Sequence, residues 1–256
     1  MKKNVIITGS TSGIGLGIAK SFAGAGYNVF FNGLEENGSD IARSVGEEFG
    51  VKTSFSNANM LKPEEIREMV KQAEAELGAL QVVVNNAGIQ HVAPIDEFPE
   101  SKWDAIIGIN MSSAFHMAKA VWPGMKQQGF GRIINLTSAH GMRASEYKSA
   151  YVTAKHGVTG LTKVLALEGA PYGITCNAIG PGYVKTPLVE GQITDQAKSH
   201  NMSEEEVVTQ VMLRKQAIKE FVGVEQIGAL AVFLASEAAS TLTGTSIPMD
   251  GGWTAQ

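Results

Sequence analysis

The chain has a single cysteine, Cys176, among its 256 residues. One thiol closes no internal disulfide, which points to a reducing compartment. Cys176 lies in the apolar run 173–179 with no base near it in sequence, so a small core residue is expected rather than a nucleophile. Charge is also scarce. Only 18% of residues are charged, the formal net charge is −4, and no basic stretch occurs, which argues against a nucleic-acid partner. No run approaches the ~18 apolar residues that span a bilayer. No apolar stretch precedes the first hydrophobic segment at Asn4, so neither a signal peptide nor a membrane partner is expected, and the location is read as cytoplasmic. Linkers of low complexity and short internal repeats are missing as well. A single domain over residues 1–256, of the α/β class, is the simplest account.

Short β-branched runs at 4–8, 28–32, 51–56, 80–86, 131–138, 173–179 and 245–249 alternate with longer helical patterns near 13–26, 38–49, 63–78, 101–127, 149–169 and 225–236. Several runs are apolar at successive positions, the pattern of strands buried on both faces of a parallel sheet. Repeated β-α-β units imply right-handed crossovers with helices on both faces, a doubly wound architecture. The segment 187–222 breaks the rhythm. It reads as one or two amphipathic helices, the clearer over 203–218, where Ser203 and Glu206 fit a capping box. An insertion at the carboxyl edge of a sheet is placed to serve as a helical substrate lid.

The first strand runs into Gly9, Thr11, Ser12, Gly13, Ile14 and Gly15, then a helix. Such glycines permit a tight turn and close backbone approach, and the helix start offers N–H groups to a pyrophosphate. The spacing GxxxGxG differs from GxGxxG, so alone it also fits a turn that merely packs helix on strand. Near residue 150, Tyr151 and Lys155 stand four apart on one helix face. Taken alone, the pair reads as a solvated lysine beside a half-buried tyrosine.

Together, "TGSTSGIG", "NNAG" at 85–88, Ser138, "YVTAK" at 151–155, "PGYVKT" at 181–186 and "TGTSIPMDGG" at 243–252 change that reading. In order and spacing they resemble the short-chain dehydrogenase/reductase family over essentially the whole chain. The resemblance implies a Rossmann-type fold, a mainly parallel sheet of about seven strands and a nicotinamide cofactor. By the same resemblance Asn110, Ser138, Tyr151 and Lys155 form the catalytic set, with Asn110 holding a water that links Lys155 to solvent. Asn59, Met60, Asn86, Ala87, Gly88, Pro181, Gly182, Val184 and Thr186 join the glycine-rich loop in holding the cofactor. An acid at the end of the second strand would bond the adenosine 2′-hydroxyl, and an arginine would accept a 2′-phosphate. Here Asn32 and Gly33 stand there, Ser12 is uncharged, and Glu35 and Glu36 would repel a phosphate, so NAD is expected.

The chemistry follows from the residue types. A phenol of pKa about 10 is a poor base at neutral pH, and a neighbouring ammonium and the positive nicotinamide would lower it by favouring the phenolate. Lys155 is therefore expected to tune Tyr151, and Ser138 to stabilise charge on the substrate oxygen. Gln90, His140, Lys148, Tyr183 and Gln192 lie beyond strand ends or in the insertion, where open α/β sheets bind ligands. An ammonium, an imidazole and two amides suit a small carboxylate, so a short hydroxy acid and its keto acid are the expected substrates. His91 reads more simply as a surface polar group. Tyr183 and Gly180 replace the Trp and Cys common among similar hydroxy-acid enzymes of the family. Resemblance implies a homotetramer joined through the long helices and the last strand. No ligand cluster calls for a metal. A thioester reductase or a sugar-alcohol dehydrogenase of the same family, and a non-catalytic NAD(H) sensor, remain as alternatives.

Overall fold

The computed structural model describes residues 3–186, Val189, Ile193, Ala197 and 201–256. Seven strands form one parallel sheet: β1 (Asn4–Ile7), β2 (Asn28–Asn32), β3 (Thr53–Ser56), β4 (Val82–Asn85), β5 (Gly131–Leu136), β6 (Ile174–Pro181) and β7 (Ser246–Met249). Their spatial order is β3-β2-β1-β4-β5-β6-β7, with every pair parallel. The order reverses between β1 and β4, and open α/β sheets take ligands beyond the carboxyl ends of the strands at such a switch point. This is the Rossmann-type doubly wound fold.

Successive apolar residues explain the layering. In β1, Val5 and Ile7 face a core built with Phe22, Ile227 and Leu234. Ile6 faces the opposite core with Met69, Met117 and Met125. The first layer holds α1 (Gly13–Gly24) and α2 (Gly38–Phe49); the second holds α3 (Pro63–Leu77), α5 (Ser113–Gln128) and α6 (Ser149–Gly169). The helix α7 (Val224–Ala235) packs beside α1, where Gly17 lies against Val224 and a Cβ would stand 2.7 Å from it. Cys176 is buried in the second core, and burial pushes its thiol up to about 12, so it stays protonated and inert.

Three helices depart from the sequence pattern by more than a residue. The first helix ends at Gly24 rather than 26, because Gly26 turns left-handed at φ +83°. The expected helix 101–127 is three pieces: α4 (Glu100–Ile107), a π-helical stretch Gly108–Ser112, and α5. In the insertion the Ser203–Glu206 capping box is present, but the helical stretch it starts passes through a π-helical segment Val207–Met212 and stops there, short of 218. Leu213 and Gln216 are buried, and Gln216 binds backbone of both Tyr183 and Glu220, so the chain turns under instead of continuing.

Candidate active site

The loop after β1 is shaped by glycine. Gly9 and Gly13 are left-handed at φ +60° and +51°, and a Cβ on Gly15 would lie 2.0 Å from the Gly9 carbonyl oxygen. Ser12, the N-cap of α1, makes no side-chain cap, and the first turn carries no acid. The helix start is therefore left for an anion, and the residues present fit a pyrophosphate. Thr8 braces this loop against β4: its hydroxyl accepts from Asn86 N and Ala87 N, each at 3.0 Å. The Asn86 amide donates to Thr8 O (3.0 Å) and Gly9 O (2.8 Å). Asn86 and Ala87 thus shape the cradle, with Gly88 next in the chain turning toward Asn110.

Around the adenosine end, Asn32 is spent inside the protein. Its oxygen accepts from Gly9 N (3.2 Å) and its amide donates to Ser56 O and Ala58 O (3.1 and 3.0 Å). The acid that reaches the glycine-rich loop is Glu35. Its carboxylate accepts from the Thr11 hydroxyl and, at 3.3 Å, from that of Ser12. The Thr11 bond is the main reason its pKa lies below the usual value. Gly33 makes that approach possible, because a Cβ there would overlap Thr11 and Glu35. Asn59 closes a local turn by accepting from Leu61 N at 2.9 Å, and Met60 is buried in the core.

The chemical end is built by β5, α6 and the π-helical stretch. A π-turn breaks the ordinary ladder and often marks a functional position. Here it aims the buried Asn110 at the loop after β4, where its amide binds Ile89 N (2.8 Å) and Ile89 O (2.9 Å). Ser138 caps the end of β5, hydrogen-bonds Tyr151, and stands 3.4 Å from Nδ1 of His140 and from Pro181 O. Lys155, one turn below Tyr151, is buried; its ammonium donates to Leu136 O at 2.7 Å and lies 5.5 Å from the Tyr151 ring centre. Burial lowers Lys155 to about 8. Burial also raises the Tyr151 phenol, and the Ser138 hydrogen bond draws it only part of the way back. Lys155 and an oxidised nicotinamide are together expected to depress the phenol; in the chain alone, desolvation holds it above its ordinary value.

His140 is buried, with Ser145 Oγ at 3.1 Å from Nε2, and its ring packs edge-on to Tyr151 (5.8 Å) and Trp253 (5.0 Å). Burial first, then the charges of Lys148, Lys215 and His156, lower it to about 4, so the imidazole is neutral at pH 7. Lys148 is the N-cap of α6; burial, with Lys215 nearby, lowers its pKa. Tyr183 is half-buried, its phenol raised by burial, and its N–H donates to Gln216. Val184 is buried in the first core layer, Gly182 lies against Asp250, and Thr186 Oγ1 accepts from Val189 N at 3.4 Å. Gln90 is exposed at the carboxyl end of β4. His91 packs edge-on against Phe98, 5.4 Å between ring centres, as a structural contact. Gln192 lies outside the described residues. Ser145, Lys215 and Trp253 were not legible in the sequence as site residues. Only the fold brings them to His140, although Trp253 follows a glycine pair that is left-handed at Gly251 and Gly252. Among the described residues no group of three or more His, Cys, Asp or Glu is arranged to hold a metal.

A nucleotide cradle at the sheet's switch point, facing a Ser–Tyr–Lys set, defines a nicotinamide-dependent oxidoreductase. The chain belongs to the short-chain dehydrogenase/reductase family: a family model described as Enoyl-(Acyl carrier protein) reductase matches residues 9–254. A D-beta-hydroxybutyrate dehydrogenase of Rhizobium meliloti (strain 1021) is 50% identical, with 100% of each chain covered. One of the same name from Cupriavidus necator is 49% identical over 99% of this chain and 98% of that one. Among solved structures, a candidate short-chain alcohol dehydrogenase from Sinorhizobium meliloti 1021 superposes with a TM-score of 0.90 at 32% identity, covering 100% and 98% of the two chains.

Proposed function

We propose that the protein interconverts (R)-3-hydroxybutyrate and acetoacetate using NAD. The observation that carries this reading is a partly buried ammonium, Lys148, at the start of the same helix that presents Tyr151, near enough to His140, which packs on Tyr151, for its charge to lower the pKa of that imidazole. A lysine held in a desolvated site calls for an anionic partner, and the relatives of about 50% identity are D-beta-hydroxybutyrate dehydrogenases. The motifs "NNAGIQH", "SAHG", "KSAY" and "LVEGQI", with the "DGGWTA" tail, resemble that enzyme in particular.

A bound nicotinamide would supply the hydride acceptor and, when oxidised, a second positive charge. In the oxidation, Ser138 holds the substrate oxygen and Tyr151 takes the hydroxyl proton as hydride leaves the carbon. Lys155 favours the phenolate once that second charge is present, which reconciles its role with the raised phenol pKa. Lys148 binds the carboxylate, with Gln90 and Gln192 as further donors. His140, neutral, has Ser138 at Nδ1 and Ser145 at Nε2 and keeps Ser138 and Tyr151 oriented. Asn110 fixes the loop after β4.

Glu35 supports NAD over NADP: its carboxylate, held by Thr11 and Ser12 beside the glycine-rich loop, would repel a 2′-phosphate. A homotetramer agrees with the apolar residues left exposed on α5 and α6, namely Phe115, Val164 and Leu167 at 44%, 50% and 78%. The lone buried cysteine agrees with a cytoplasmic location. A reductase of 3-oxoacyl thioesters would have no use for Lys148, since a thioester has no free carboxylate beside the ketone.

The test is Lys148→Ala assayed by NADH absorbance. Losing one charge-assisted hydrogen bond costs roughly 1.5–3 kcal/mol, so efficiency on (R)-3-hydroxybutyrate should fall about ten- to a hundredfold. The methyl ester should be affected far less. Equal losses on acid and ester would reject the clamp, and a wild-type preference for the ester would favour the thioester reductase.

A further inference from the structure

Among the described residues two that carry side chains have a left-handed backbone, Tyr147 at φ +65° and Asn201 at φ +50°. Asparagine tolerates that region; a bulky aromatic there is strained, because its Cβ crowds the following carbonyl. Packing of the Tyr147 ring does not account for the strain, since the residue is 56% exposed. What the conformation sets is the backbone on either side. The Tyr147 carbonyl accepts from Ala93 N at 3.0 Å, tying the loop after β4, which carries Gln90, to the turn before α6. The next residue, Lys148, is the N-cap of α6 at φ −120° and ψ 35°, and its carbonyl accepts the first helical bond, from Val152 N at 2.9 Å. Strain concentrated beside a binding group, and held by a bond to a second binding loop, is the pattern of a site that fixes geometry at the cost of stability.

We propose that Tyr147 is a positioning residue whose left-handed backbone, clasped to Ala93, aims Lys148 at the substrate carboxylate and holds the Gln90 loop at the same distance from the catalytic helix. The backbone, and not the phenol ring, carries the role. Residues that enter the left-handed region easily, asparagine and glycine, should therefore serve as well as tyrosine. A β-branched residue, which avoids that region, should not. This inference rests on the reading of Lys148 as the carboxylate ligand.

The experiment compares Tyr147→Val, Tyr147→Asn and Tyr147→Gly with Lys148→Ala, measuring kcat, KM for (R)-3-hydroxybutyrate and KM for NAD, with a melting curve for each. The expected result is a rise of about tenfold in KM for the acid in Tyr147→Val, with kcat at saturating acid and KM for NAD within about twofold of the wild type. Tyr147→Asn and Tyr147→Gly should keep all three values and melt no lower than the wild type. An unchanged acid KM in Tyr147→Val, with Lys148→Ala impaired, would overturn the positioning role and leave the clamp standing. An unchanged acid KM in Lys148→Ala would overturn the clamp and this inference with it. Loss of kcat and both KM values together in Tyr147→Val would show a merely structural residue. If the valine variant does not fold, the asparagine and glycine variants decide: impairment of both would show that the ring acts, against the proposal.

Discussion

Protonation of His140 should cost the folded protein stability in a defined pH window. Its ordinary pKa is 6.5, and burial together with Lys148, Lys215 and His156 lowers it to about 4. Between those values the unfolded chain binds the proton and the folded chain does not. The contribution is therefore complete above pH 6.5 and is lost as pH falls toward 4. For this shift the linkage relation gives a loss of about 2 kcal/mol at pH 5 relative to pH 7.5. Most of that is a desolvation penalty for an imidazole ringed by like charge, so it should vanish when the ring is replaced. The comparison is wild type against His140→Gln, whose amide still reaches toward Ser145. Urea unfolding at pH 7.5 and 5.0, at one fixed protein concentration because assembly shifts apparent stability, yields the two differences. Carboxylates common to both proteins cancel. The wild type should lose about 2 kcal/mol more than the variant over this interval. Equal losses would mean that His140 titrates near its ordinary value in the fold, and the account of a neutral imidazole at the site would fail.

Tyr151→Phe should lower turnover by on the order of 10² to 10⁴, the worth of a general base, while NADH fluorescence still reports cofactor binding; near-normal turnover would remove Tyr151 from that role. NAD should be used at least about tenfold more efficiently than NADP, roughly 1.4 kcal/mol, and Glu35→Gln should narrow the ratio by raising NADP efficiency. If the ratio in Glu35→Gln matches the wild type, the discrimination lies elsewhere.

The strands were legible because a parallel sheet writes itself as short, continuously apolar runs. "NVFFN" became β2 over the full 28–32, since Val29, Phe30 and Phe31 have core on both sides. The helix at 38–49 was bounded correctly because Gly50, left-handed at φ +63°, stops it. Tyr151 and Lys155 were legible because their spacing is local. What escaped depends on chain segments far apart in sequence. Asn32, expected among the cofactor residues at the end of the second strand, pairs with Gly9, Ser56 and Ala58, while Glu35, three residues on, folds back onto Thr11. The partners of His140 come from Ser145 and Trp253. The stop at Met212 follows from Gln216 being needed inside, against Tyr183 and Glu220, which no amphipathic pattern over 203–218 announces.

The π-helical stretch between α4 and α5 separates two obligations that one straight rod would force together. A π-turn carries about one residue more than the same length of α-helix, and one residue is worth about 100° of rotation and ~1.5 Å of advance. Downstream, Met117, Val121 and Met125 fix the angular phase of α5 against the sheet. Upstream, Ile106 fixes the phase of α4 against Ala150 and Ala154 of the catalytic helix. The inserted residue absorbs the difference between those phases at Asn110, the point where the rod is also pinned to Ile89. Removing one residue from 108–112 would leave a longer, more regular helix able to satisfy either contact but not both. The packing of α4 against the catalytic helix is thus geared independently of the core, so it can shift without re-registering the sheet.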